Sequence, residues 1–216
     1  MSESDSWPRP TYNVPPKDHL HAMSVVSINF NQFEAGLFSL FRHHLERREI
    51  PLPVLETIYG NIGGSDHGET IKQIFLYFET DPAVIGHVDH VLSYFQWCYE
   101  SRNILMHSQQ RGITLNDGED IASFFKRSTK NYSKFNFTTF TVPQLRDIAD
   151  AIHIGINYIV DLYFFLQVRD GRLPAWIPAV QTNALPDKPR IPKRIEVSDT
   201  HEARVGETRL PSASRL

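Results

Sequence analysis

One cysteine, Cys98, is the only thiol in 216 residues. No internal disulfide can form and a zinc-thiolate cluster has no second sulfur, so the plainest expectation is a reducing, cytoplasmic setting. An unbroken apolar run of membrane-spanning length is also missing. The greasiest stretch, "IHIGINYIVDLYFFL" at 152–166, contains Asp161 and reads as a buried core helix. The first ten residues, "MSESDSWPRP", are polar and acidic, unlike a signal or transit peptide. No membrane partner is expected. Charge of one sign is scarce overall, with 22 Lys and Arg against 25 Asp and Glu and a formal net charge of −3. That excludes a protein coated in basic surface but leaves room for a local basic groove.

One local absence is informative. From Ile121 to Arg146 no acidic residue occurs, while Lys126, Arg127, Lys130 and Lys134 alternate with Tyr132, Phe135, Phe137 and Phe140. Cations with flat rings suit single-stranded nucleic acid, charge for the phosphates and rings for the bases. The same pattern also fits a hairpin with one aromatic face in the core and a solvated basic face.

What is present is mostly helical periodicity. Val26, Phe30, Phe33, Leu37, Phe41 and Leu45 recur at steps of three and four, predicting a helix from Ala22 to about Arg48. Pro51 and Pro53 end it, and the four glycines of "YGNIGGSDHGET" suggest a connection between helices. No strand precedes that loop and no Lys-Ser/Thr pair follows, so it is not read as a phosphate cradle. A second helix is expected over Glu69–Glu79, and a third from Pro82, with Thr80 or Asp81 as its cap. Its stripe runs Val84, Val88, Val91, Phe95, Cys98, then Arg102 and Leu105. "RGITLNDGED" reads as a turn-rich loop, and residues about 121–142 as a two-strand hairpin with "TKNY" at its tip. A last helix, capped by Thr141, carries Leu145, Ile148, Ile152, Ile156, Ile159, Tyr163 and Leu166 to about Asp170. The expected organisation is an extended arm over 1–20, a helical domain over 21–170, and a proline-rich, largely disordered tail over 171–216. The fold class is all-α, a bundle of four to five helices with a small inserted β-hairpin.

Within the third helix, Arg102 occupies a place where the stripe calls for a hydrophobe. A guanidinium there must find a partner, face a groove or meet a second chain. Arg102 and His107 lie about 140° apart on an ideal helix, so they converge only if the last turn loosens or two copies of the helix meet. Two readings stay open: a catalytic pair, or a polar network closing a helix end.

"RNILMH", Arg102-Asn103 through His107, resembles the R-x4-6-H motif of HEPN domains in its commoner Arg-Asn form. The resemblance covers roughly residues 22–168, with the motif near the end of the penultimate helix of a four-helix core. It implies a HEPN-like bundle that forms a homodimer, two motif helices creating one composite cleft. It further implies a metal-independent endoribonuclease, needing no cofactor, of the kind that serves as a toxin or phage-defence effector. An antitoxin or other regulatory protein would be a natural partner. Other members of the family are non-catalytic modules that bind RNA or protein. On the catalytic reading His107 is the acid/base, Arg102 the clamp on the phosphoryl oxygens, and Asn103 the positioner. Lys126, Arg127, Lys130, Tyr132 and Lys134 are the candidate RNA contacts.

Other constellations are weaker. His87, Asp89 and His90 have metal-like spacing but no evident third ligand. His43 and His44 are adjacent on a helix and point apart, and Asp66 and His67 lie in the glycine-bearing connection with no role fixed by spacing. No metal site is expected.

Overall fold

The computed structural model describes residues 17–63, 66–116, 119–127, 135–172, 184–196 and 198–199. It is a helical bundle carrying a small antiparallel sheet, in the order α1 (Lys17–Glu46), α2 (Leu52–Asn61), α3 (His67–Phe78), α4 (Pro82–Met106), β1 (Gln109–Asn116), β2 (Glu119–Arg127), β3 (Phe135–Phe140), α5 (Val142–Arg169) and β4 (Ser198–Asp199). The all-α bundle with an inserted hairpin expected from periodicity is what is found.

The two longest helices, α1 and α5, form the spine. Their stripes meet in one core with α4, where Phe33, Leu37, Leu40, Val91, Tyr94, Cys98, Ile152, Ile159 and Leu162 are buried. Glycine allows the close approach: a Cβ on Gly155 would lie 2.7 Å from the Tyr94 ring and 2.8 Å from Phe33. By length and composition α5 could cross a membrane. Here its apolar stripe packs against α1 and α4. Caps set the helix starts. Asp81 Oδ1 accepts from the Ala83 amide at 2.8 Å with Pro82 in the first turn. Thr141 and Gln144 form a reciprocal capping box on α5.

Four expectations are corrected. Helix α1 begins at Lys17, so the arm does not reach residue 20. The proline-glycine connection holds a ten-residue helix, α2, whose first turn accommodates Pro53 and whose only buried side chain is Leu55. "RGITLN" is strand, not loop: β1 pairs antiparallel with β2, from Gln109 opposite Phe125 to Asn116 opposite Glu119, with its register shifted between Gln110 and Gly112. The sheet therefore runs β1-β2-β3-β4, with the expected hairpin as its β2–β3 pair. Finally, residues 184–196 are not loose. This strap lies extended along α4 and α5, packs Leu185, Ile191 and Ile195 onto the core, and leads into β4.

Candidate functional site

The end of α4 builds the site. His107 is the C-cap, with φ −108° and ψ 7°, while its amide still donates to the Asn103 carbonyl at 3.1 Å. This departure from helical dihedrals, with the reach of a guanidinium, closes the gap that an ideal helix leaves. Arg102 Nη1 lies 3.1 Å from His107 Nε2 and donates to Asn103 Oδ1, also at 3.1 Å. All three motif residues thus meet within one chain. A guanidinium only donates, so His107 Nε2 must accept, and in this arrangement the imidazole is neutral with its proton on Nδ1. His107 is exposed, and Arg102 and Asn103 are half-buried.

Behind the motif, α1 supplies the floor. Phe30 lies under Arg102, whose Cζ is 5.6 Å from the ring centroid, and Phe30 in turn neighbours Phe95 and Tyr99. Ser27 donates to Met106 Sδ at 3.2 Å, tying α1 to the last turn of α4. One turn beyond Phe30 stands Glu34. Burial raises its carboxyl above the usual carboxylate range, and His67 and Arg102 pull it back. His67 stacks on Tyr59, centroids 4.0 Å apart and planes 3° apart, and donates from Nε2 to the Tyr59 carbonyl at 3.1 Å. Two buried nitrogens here, Arg102 Nε and His67 Nδ1, have no hydrogen-bond partner. Glu34 carries no sequence motif. The usable signal was an acidic residue one turn after Phe30, beside the α1 stripe. His67 was visible in the sequence but not its position near Glu34, which depends on α2 and α3 folding back onto α1.

The hairpin residues are placed only in part. Lys126 and Arg127 lie in β2, paired with Asn136 and Phe135, and Lys130, Tyr132 and Lys134 fall outside the described residues. Phe124 and Phe140 pack edge to face in the core, as the core-facing reading of the hairpin expected. The motif spacing is not unique. Arg146…His153 and Arg194…His201 also satisfy R-x6-H without the Asn. Arg146 and His153 are exposed two turns apart on α5, and Arg194 pairs with Glu100 at 3.1 Å.

The remaining candidates have structural partners. His87 Nδ1 meets the Tyr158 hydroxyl at 2.8 Å, His90 Nε2 donates to the Pro189 carbonyl at 2.8 Å, and Asp89 pairs with Lys72. At the far end of the bundle, His43 is fully buried between Asp170, 3.1 Å away, and Gln167, while His44 lies 3.7 Å from Glu79. Burial, then the neighbouring His44, lowers His43 to about 4, and burial also lowers His44. Arg169 bridges Glu79 and Asp170, so this cluster locks α1, α3 and α5 together. Among the described residues no group of three or more His, Cys, Asp or Glu is arranged to hold a metal.

Comparison of the chain with protein-family models, curated proteins and solved structures finds no match. The functional reading therefore rests on the site.

Proposed function

We propose that the chain is a metal-independent endoribonuclease of HEPN type, acting in the cytoplasm as a toxin or phage-defence effector. It would cut RNA by 2′-hydroxyl attack in a cleft shared by two copies. The single observation behind this reading is the exposed Arg102–His107 contact at 3.1 Å, formed where α4 unwinds. An anionic phosphate is a stronger acceptor for a guanidinium than a neutral imidazole. RNA would therefore draw Arg102 from His107 Nε2 onto the phosphoryl oxygens and free that nitrogen as a base. Nε2 then takes the 2′-hydroxyl proton as the O2′–P bond forms and the P–O5′ bond breaks. The His107 of the partner subunit, protonated, gives a proton to the departing 5′-oxygen. Products carry 2′,3′-cyclic phosphate and 5′-hydroxyl ends. Asn103 holds Arg102 in place between turnovers.

The shared cleft comes from the resemblance to HEPN domains, in which two motif helices meet. The sheet starts at Gln109, two residues past His107, and Lys126 and Arg127 lie on its second strand, β2. In this reading they are RNA contacts, together with Lys130, Tyr132 and Lys134. One observation favours a second reading, a non-catalytic HEPN-like module that binds RNA or a regulatory protein. Arg102 and His107 already satisfy each other within one chain, as a structural helix-end network would.

RNA cleavage by wild type and His107→Ala separates the two readings. The nuclease reading expects a loss of at least about 100-fold in cleavage, in the range of general acid–base contributions, with RNA affinity nearly unchanged. Equal cleavage by both proteins would refute it.

A further inference from the structure

The strap at 184–196, "ALPDKPRIPKRIE", places Pro186, Pro189 and Pro192 at every third position. Proline fixes φ near that of polyproline II, whose three-residue turn aligns such a series on one ridge. The strap lies in a groove between α4 and α5. Two side-chain donors four strap residues apart hold its backbone: His90 Nε2 to the Pro189 carbonyl at 2.8 Å, and the Trp97 indole to the Lys193 carbonyl at 2.9 Å. Tyr158, against His90, is the third ring of the groove.

We propose that this groove is a docking site for proline-rich, Lys/Arg-bearing peptides, which the strap occupies in cis and a partner protein's segment of the same chemistry displaces. The reading is independent of the nuclease proposal, because Trp97 lies about 140° round α4 from Arg102. Four observations carry it. Both donors read backbone carbonyls rather than side chains, the mode by which aromatic grooves take proline-rich segments. A groove acid takes a strap base: Glu100 pairs with Arg194 at 3.1 Å. Space remains beside the strap, with a cavity of about 680 Å³ along Trp97, Ile148, Pro192 and Ile195, and one of about 410 Å³ along Tyr158, Pro186 and Pro189. The contacts that hold the strap lie near the surface, since Leu185, Ile191 and Ile195 are half-buried and Arg194 is 80% exposed. An extended segment held this way belongs to the part of a protein that opens first.

The test uses the full chain. Limited trypsinolysis should cut after Arg190 and Arg194 at least tenfold faster than at arginines within α1 and α5. A labelled peptide of residues 184–199 should bind the Ile191→Asp/Ile195→Asp variant, whose own strap is released, at least tenfold tighter than wild type. Trp97→Phe in that background should lose about tenfold, and a peptide with its prolines replaced by alanine should not bind. Strap sites cut no faster than the helices, or a strap variant that fails to fold, would make the segment integral to the bundle and overturn the proposal. A folded variant that ignores the peptide, or binds the alanine peptide equally well, would also overturn it.

Discussion

At the scale of single residues, the pairing of Arg102 with His107 depends on a dihedral. The sequence shows both residues and their five-residue spacing, but whether they meet is decided by how α4 ends, and no local pattern encodes φ −108° at His107. Glu34 and His67 are harder still, because their shared environment comes from helices far apart in the chain. Arg102→Lys tests the geometry. An ammonium keeps the charge but lacks the planar fork with which a guanidinium takes two phosphoryl oxygens at once. Cleavage should fall at least tenfold in kcat with little change in KM, measured on a short RNA. His43 makes a separate prediction about pH. Its folded value of about 4 lies below the unfolded value of 6.5. Between those limits the unfolded chain binds a proton that the folded chain refuses, so stability falls as pH drops from 6.5 to about 4 and is unaffected above 6.5. His43 alone contributes about 3 kcal/mol to that loss. Urea unfolding at pH 7.5 and pH 4.5 should show the drop, and His43→Gln should reduce it, leaving the share that His44 contributes. Glu79 and Asp170, whose pKa values are lowered from 4.5 and 3.8 by Arg169 hydrogen bonds against the opposing effect of burial, begin to lose their own stabilisation at the lower edge of this window and below it.

At the scale of elements, four of the five helices were legible because their stripes repeat over three or more turns. The shortest was not. Helix α2 buries only Leu55 and is framed by residues that usually mark turns. Strand β1 was missed for a related reason: "QQRGITLN" is polar, contains Gly112 and bulges, so it lacks the alternation that announces a strand. The strap was read as disorder because proline and charge dominate its composition, yet three aliphatic side chains and two donated hydrogen bonds hold it in place. The packing of α5 on α1 and α4 can be tested at Gly155. A methyl group there would clash with Tyr94 and Phe33 at under 3 Å. Gly155→Ala should therefore destabilise by about 1–3 kcal/mol despite its better helix propensity, measured by denaturant unfolding. Thr141→Ala removes one half of the capping box on the same helix and should cost about 1 kcal/mol.

At the scale of the whole molecule, the site sits at one edge of the bundle, with the sheet beginning two residues beyond it and the buried histidine cluster at the opposite end of α1. His107 is exposed, with none of the described residues enclosing it, and the proposed chemistry calls for a second copy to cover it. If the cleft is shared and uses both His107 side chains, co-refolding wild type with excess His107→Ala should silence the wild-type subunits trapped in mixed dimers. A site confined to one chain would keep its activity. Neither the proposed dimer nor the proposed RNA substrate follows from composition, because both depend on how surfaces meet. The most direct measurement is cleavage of a defined RNA by the wild-type protein in EDTA, with end-group analysis of the fragments. The proposed mechanism requires EDTA-resistant cutting that leaves 2′,3′-cyclic phosphate and 5′-hydroxyl ends. Cutting that EDTA abolishes, or that leaves 5′-phosphate ends, would contradict it, as would RNA that is bound and left intact.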